Sequence, residues 1–238
     1  PVFNAIGNGF IPDIPDIGFL DDRHKVTLII GVIAIIFSII SAIRSRQKKI
    51  SYNFEVSSPS MFILQMILTS AIIGYVVWVL SGYNGLSWSL VVVLIVVALF
   101  TFITTKTPLG RHIYAVGGNP EAAELSGISV ARITQLVFAF MGVLSALSGI
   151  LYASRLQSAT TTAGLGFETD AIAAAFVGGV SAAGGVGTIT GSIIGALVMM
   201  SLTSVMNLMG IDISIQYIVR GAVLVGAVIV DRATRKGR

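Results

Sequence analysis

The run "VTLIIGVIAIIFSIISAI", Val26 to Ile43, contains 18 residues and no charge. A helix rises about 1.5 Å per residue, so about 20 such residues cross the hydrocarbon core of a bilayer. The pattern recurs at Met61–Ser81, Ser87–Thr105, about Val130–Ser154, Val186–Met209 and Ile215–Val230. A shorter apolar piece, about Ala171 to Gly179, cannot cross alone. The alternating ten-residue segments of a membrane barrel are absent. Charged residues make up 11% of the chain, against about 25% in a soluble domain, and mean hydropathy is +0.91. The expected fold is an all-α polytopic membrane protein, a helical bundle of about six full spans plus one short or broken helix. It forms one transmembrane domain over 1–238.

Basic residues near span ends give the expected orientation. "RSRQKK", Arg44 to Lys49, favours the cytoplasm. The segment 1–25 carries Asp13, Asp16, Asp21 and Asp22 and is expected outside, in the periplasm. The uncharged link "SGYNGL" fits a short outer turn. Lys106, Arg111 and Arg132 put the loop 104–130 inside, and the tail "RATRKGR" puts the C-terminus inside as well. The parity works only if the short piece at Ala171 counts as a passage, with protein around its ends. The net charge of +4 belongs to this topology and does not suggest nucleic-acid binding. The chain starts at Pro1 with no methionine or signal pattern, so an N-terminal portion is expected to precede it.

Within the inner loop, "GGNPEAAELSGI" reads as a two-turn helix with both ends marked. Asn119 can cap the first amides and Pro120 suits the first helical position. Glu121 puts negative charge in the first turn, and Gly127 supplies a left-handed stop. Such an element, tied to spans at both ends, is either a surface loop that happens to be helical or a docking handle.

Other residues exclude several chemistries. With no cysteine there is no thiolate nucleophile or thiolate metal site, and His24 and His112 are far apart in loops. The "GGVG" turn at Gly184 to Gly187 lacks the Gly-Lys-Ser/Thr ending of a phosphate loop, so the chain itself should not bind nucleotide. Gly187, Gly191 and Gly195 stand four apart and predict a small-residue face, for packing within the subunit or for a subunit interface or path. Glu168 and Asp170 either stabilise a helix start or contact an external partner. Arg155 is an interfacial anchor or a docking residue. Arg220, inside the last span, must snorkel or pair with a carboxylate such as Asp170 or Asp212. Ser145, Ser148, Thr188, Thr190 and Asn207 are candidates for lining a polar path.

"EAAELSG", Glu121 to Gly127, has the form EAAxxxG and resembles the cytoplasmic coupling motif of ABC-importer permeases. The wider stretches Gly110–Ile133, Glu168–Leu197 and Ile215–Asp231 are similar to the ribose/xylose/galactose branch of that family. The part before Thr104, with "GNGFIPD" and the hairpin at Met61, is most similar to xylose and multiple-monosaccharide permeases. The resemblance implies a membrane subunit of an importer in the bacterial inner membrane, lacking here the family's N-terminal spans. Its partners would be a second permease copy, an ABC ATPase subunit and a periplasmic sugar-binding protein. ATP would be bound by the ATPase, leaving this chain with no cofactor, no metal and no catalysis. Gly117, Gly118, Asn119, Pro120, Glu121, Ala122, Ala123 and Gly127 would form the coupling element. Glu121 would meet basic groups of the ATPase, and Ala122 and Ala123 would allow close approach.

Two rival classes lack their chemistry. A secondary transporter needs acids at span depth, and an intramembrane enzyme needs a nucleophile with its base or paired metal ligands. Arg220 is the only charge well inside an apolar run. A vitamin or siderophore permease of the same general architecture is the nearer alternative.

Overall fold

The computed structural model describes residues 2–13, 24–52, 58–82, 84–158 and 160–235. Several helix starts in this chain are capped by polar side chains. Helix α1 is Val2–Asn8. At the start of α2 (Lys25–Ser51) the His24 ring accepts the Thr27 amide, and at α3 (Pro59–Ser81) Ser58 accepts that of Met61. Helix α4 is Trp88–Lys106. Thr107 accepts the Gly110 amide to start α5 (Pro108–Gly118), and Asn119 accepts the Ala122 amide to start α6 (Pro120–Leu125). After α7 (Val130–Leu156) and α8 (Phe167–Val177), Thr188 caps α9 (Ile189–Leu208), and α10 is Ile213–Arg235. Each cap satisfies an amide that the helix leaves without an internal partner.

Among the described residues six helices, α2, α3, α4, α7, α9 and α10, are long and apolar enough to cross a membrane. They are the six expected full spans, and α8, with 11 residues, is the short one. Extended structure among these residues is limited to one isolated bridge, Phe10 to Ser87.

Contacts divide the chain into two compact units, Pro1–Val91 and Val92–Arg238. In the first, α2 and α3 form an antiparallel hairpin. The His24 amide donates to the Ser81 carbonyl at one end, and Arg46 lies 4.5 Å over the Phe62 ring at the other. Gly31 lets the helices close, since a Cβ there would meet the Val77 side chain. Asp13 takes the Lys25 and Val26 amides at 3.0 Å each, so this acid also fixes the start of α2. Asp16, Asp21 and Asp22 lie outside the described residues.

In the second unit α8 packs between α9 and α10 around Ala173, Ala174 and Met199. Gly191 and Gly195 face α8 closely enough that a Cβ on either would strike the backbone of Gly178 or Ala174. The small-residue face is therefore a packing seam inside this unit, and Gly187 is not part of it. Because Thr188 is the cap, α9 begins at Ile189, and Gly187 lies in the preceding loop at φ +153°.

Three further boundaries differ from expectation. The basic run after the first span stays helical as far as Ser51. His112 lies within α5, an element the polar loop concealed, and His24 is a cap. The two-turn helix is only six residues, Pro120–Leu125, because Asn119 adopts an extended conformation and separates it from α5.

Candidate functional site

Helices α5 and α6 form an elbow around Asn119, whose side-chain oxygen holds the Ala122 amide at 3.0 Å. Pro120 and Glu121 occupy the first turn, and Gly127 follows the helix at φ +83°. Glu121, Ala122, Glu124 and Leu125 are exposed, whereas Ala123 is 4% exposed and turned into its own chain. The expected pair of small outward alanines is thus a single one, Ala122. Consecutive side chains on a helix point about 100° apart, and here Ala123 is the one turned inward.

Gly117 and Gly118 belong to the last turn of α5, not to α6. They lie against Gly184 and Gly185 in the loop between α8 and α9. A Cβ at Gly117 would sit 2.8 Å from the Gly185 amide nitrogen, and one at Gly185 would sit 2.7 Å from Gly118 Cα. Gly184 and Gly185 have φ +83° and +71°, a conformation that glycine adopts without strain. Nearby, the Tyr114 hydroxyl donates to the Gly187 carbonyl at 2.8 Å. The same loop is held by α10, since Asp231 Oδ2 accepts from Ser181 Oγ at 3.1 Å and from the Ala182 amide at 3.3 Å. The loop 178–188 therefore touches α5 through close backbone packing and the Tyr114 hydrogen bond, and α10 through hydrogen bonds to Asp231. Beside it lies an apolar cavity of about 500 Å³ lined by Ile113, Val137, Phe138 and Val186 among others.

At the opposite end of α8, Glu168 and Asp170 occupy the first turn. Asp170 Oδ2 accepts from Arg220 Nη1 of α10 at 2.9 Å. Arg220 Nη2 reaches Gln216 Oε1 at 3.5 Å, and Gln216 Nε2 donates to Asn207 Oδ1 of α9 at 2.9 Å. Three helices are joined by this chain of polar groups. Asp212 takes another role, accepting the Ser214 amide at 2.8 Å near the start of α10, and that bond holds its carboxyl below the ordinary range. Glu168 is exposed, as is Arg155 in the last turn of α7.

The candidate path residues separate. Ser145 and Ser148 line a second cavity of about 670 Å³ with Glu168, Tyr152 and Phe167. Thr188 is a cap, Thr190 Oγ1 lies 3.5 Å from it, and Asn207 is held by Gln216.

Sequence reasoning overlooked Leu125, which is 91% exposed on a short polar helix. An apolar side chain between Glu124 and Ser126 was the available signal. Tyr114 and Asp231 had none, because their partners lie 73 and 50 positions away.

The family model described as the permease component of branched-chain amino acid transport systems matches residues 19–228. A xylose transport system permease protein of Haemophilus influenzae is 36% identical over 232 residues, 98% of this chain and 59% of the relative. Its counterpart in Escherichia coli is 38% identical over 193 residues, 81% of this chain and 49% of the relative. A ribose import permease protein of Bacillus subtilis is 47% identical over 127 residues, 53% of this chain and 39% of the relative. The chain thus spans about half the length of the relatives it matches. No solved structure matches it. With six membrane-length helices and a family match over most of its residues, the chain belongs to the transport-system permease components, as a multi-pass membrane protein.

Proposed function

We propose that this chain is part of the membrane subunit of an ATP-driven ABC importer for monosaccharides of the xylose or ribose type. It sits in the bacterial inner membrane with α6 and the C-terminus on the cytoplasmic side, as its basic residues favour. ATP is bound and hydrolysed by a separate ATPase subunit, which receives α6. A second permease copy completes the path, and a periplasmic binding protein delivers the sugar near Arg155 and the start of α8. Asp170, engaged by Arg220, contributes to the architecture of that end more than to docking.

The observation that carries this reading is the α5–α6 elbow. A capped six-residue helix presents Glu121, Ala122 and Leu125 outward, while the adjoining turn of α5 bears on the loop of the α8–α9 hairpin. A push on α6 has a short mechanical route to the α8–α10 packing unit. The similarity to xylose and ribose permeases supports the sugar class.

The test is Ala122→Trp in the complete transporter in vesicles. Bulk at the contact is expected to abolish sugar uptake while ATP hydrolysis continues. Normal uptake per ATP would remove α6 from the coupling role. Aqueous labelling of a Ser126→Cys variant from the periplasmic side would refute the orientation.

A further inference from the structure

We infer that the face of α2 turned away from α3 is a seat for an anionic phospholipid of the cytoplasmic leaflet. The headgroup lies at Arg44 and Lys48, and the acyl chains run along Ile33, Phe37 and Ile40. The inference rests on the membrane orientation proposed above and on nothing else in the importer reading. Helix α2 faces α3 through Gly31, Ile35 and Arg46. A Cβ on Gly31 would meet Val77, one on Gly74 would sit 4.0 Å from Ile35, and Arg46 lies 4.5 Å over the Phe62 ring. Successive residues turn by about 100°, so Arg44 and Lys48, each two positions from Arg46, point the opposite way. They stand one turn apart, and both are exposed.

The same face continues into the membrane as an apolar stripe. Ile33, Phe37, Ile40 and Arg44 follow one another at steps of four, three and four, the repeat of one helix face. All three apolar members are exposed, Phe37 at 73%. Helix α2 has 27 residues, roughly 40 Å, against about 30 Å of hydrocarbon. Its last two turns therefore stand at headgroup depth. A diacyl lipid has the matching form, with chains against the apolar rungs and a phosphate just beyond them.

Charge narrows the lipid class. Helix α2 ends with Arg44, Arg46, Lys48 and Lys49, and neither α2 nor α3 contains an acidic residue. Arg46 is engaged by Phe62, and Lys48 and Lys49 in the last turn complement the helix dipole. That dipole fades within a turn, so it does not reach Arg44, about two turns before Ser51. Orientation in the membrane asks for positive charge at this end, but not for its alignment with an apolar stripe. A phosphate at headgroup depth meets Arg44 and Lys48 together, and a zwitterionic headgroup would bring its own cation to the same place.

The test is native mass spectrometry of the full-length permease in detergent, with phosphatidylglycerol and phosphatidylcholine of the same chains added in equal amounts. Phosphatidylglycerol is expected to be retained in several-fold preference, and the preference to shrink as salt is raised. Equal retention of the two lipids, or a preference indifferent to salt, would overturn the seat. Arg44→Gln with Lys48→Gln is expected to lower the ratio several-fold, and either change alone by part of that amount. Arg232→Gln, on α10, is expected to leave the ratio as it is. A ratio undiminished in all three α2 variants, or an equal fall with Arg232→Gln, would also overturn it. An intact ratio with loss of a copurifying ATPase would assign the face to a protein partner instead. The unsubstituted protein alone decides the matter if the double variant does not fold. Because the measurement involves no sugar, ATP or sidedness, its failure is separate from a failure of orientation at Ser126 or of coupling at Ala122.

Discussion

Arg220 of α10 and Asp170 of α8 meet at 2.9 Å, half-buried within a helical packing unit. A charge at span depth is costly alone, and removing one partner of a buried pair typically costs roughly 3–5 kcal/mol. The pair is 16% and 30% exposed, so Asp170→Ala is expected at or under the lower end of that range. Replacing both, with Asp170→Ala and Arg220→Met, is expected to cost less than the sum. Thermal unfolding in detergent over the four-member cycle measures the difference, and strict additivity would show that the pair contributes nothing.

Tyr114 donates its hydroxyl to the Gly187 carbonyl. Tyr114→Phe keeps the ring and leaves that carbonyl unpaired, a loss of about 1–3 kcal/mol. The more telling readout is sugar moved per ATP, which is expected to fall because this bond ties α5 to the loop. A lower melting temperature with an unchanged ratio would make the bond structural only.

Gly127 and Gly184 share φ +83° but not their surroundings. A Cβ at Gly127 meets nothing within 4 Å, while one at Gly184 strikes the Gly117 carbonyl. Gly127→Ala is expected to cost only backbone strain, about 1–2 kcal/mol. Gly184→Ala is expected to cost clearly more, read by melting temperature or by the yield of folded protein. Equal losses would mean that the two glycine pairs are not in contact.

Leu125 projects from α6 almost fully exposed. If it inserts into a cleft of the ATPase, Leu125→Ser weakens association by about 1.5–3 kcal/mol, the value of burying one leucine side chain. Folding of the isolated permease is expected to be unaffected. Copurification of the ATPase in undiminished amount would contradict insertion.

The spans were legible because a bilayer demands one simple property, an apolar run of sufficient length. The caps at Asn119 and Thr188 were local, so sequence could offer the first, although it missed how the second shortens α9. Helix α5 was hidden because His112 and Arg111 broke the apolar pattern that sequence reading relied on. The GGVG turn illustrates the other limit. Its glycines fit a close approach to Gly117 and Gly118, but contacts between segments some 70 positions apart leave no periodic trace. Arg220 required compensation by electrostatics alone; only coordinates could choose Asp170 and assign Asp212 to the start of α10.

Helix α8 is held to α10 at both ends, by Arg220 near its start and by Asp231 just beyond its finish. Those two residues stand 11 positions apart on α10, as do the residues they hold, Asp170 and Ser181. On α10 that is roughly 16 Å at about 1.5 Å per residue. A rod pinned to its neighbour at matching points cannot pivot by itself. A tilt imposed near Gly184 is expected to swing both helices together, like a crank, and to reach the far end of α8 where Arg220 holds it.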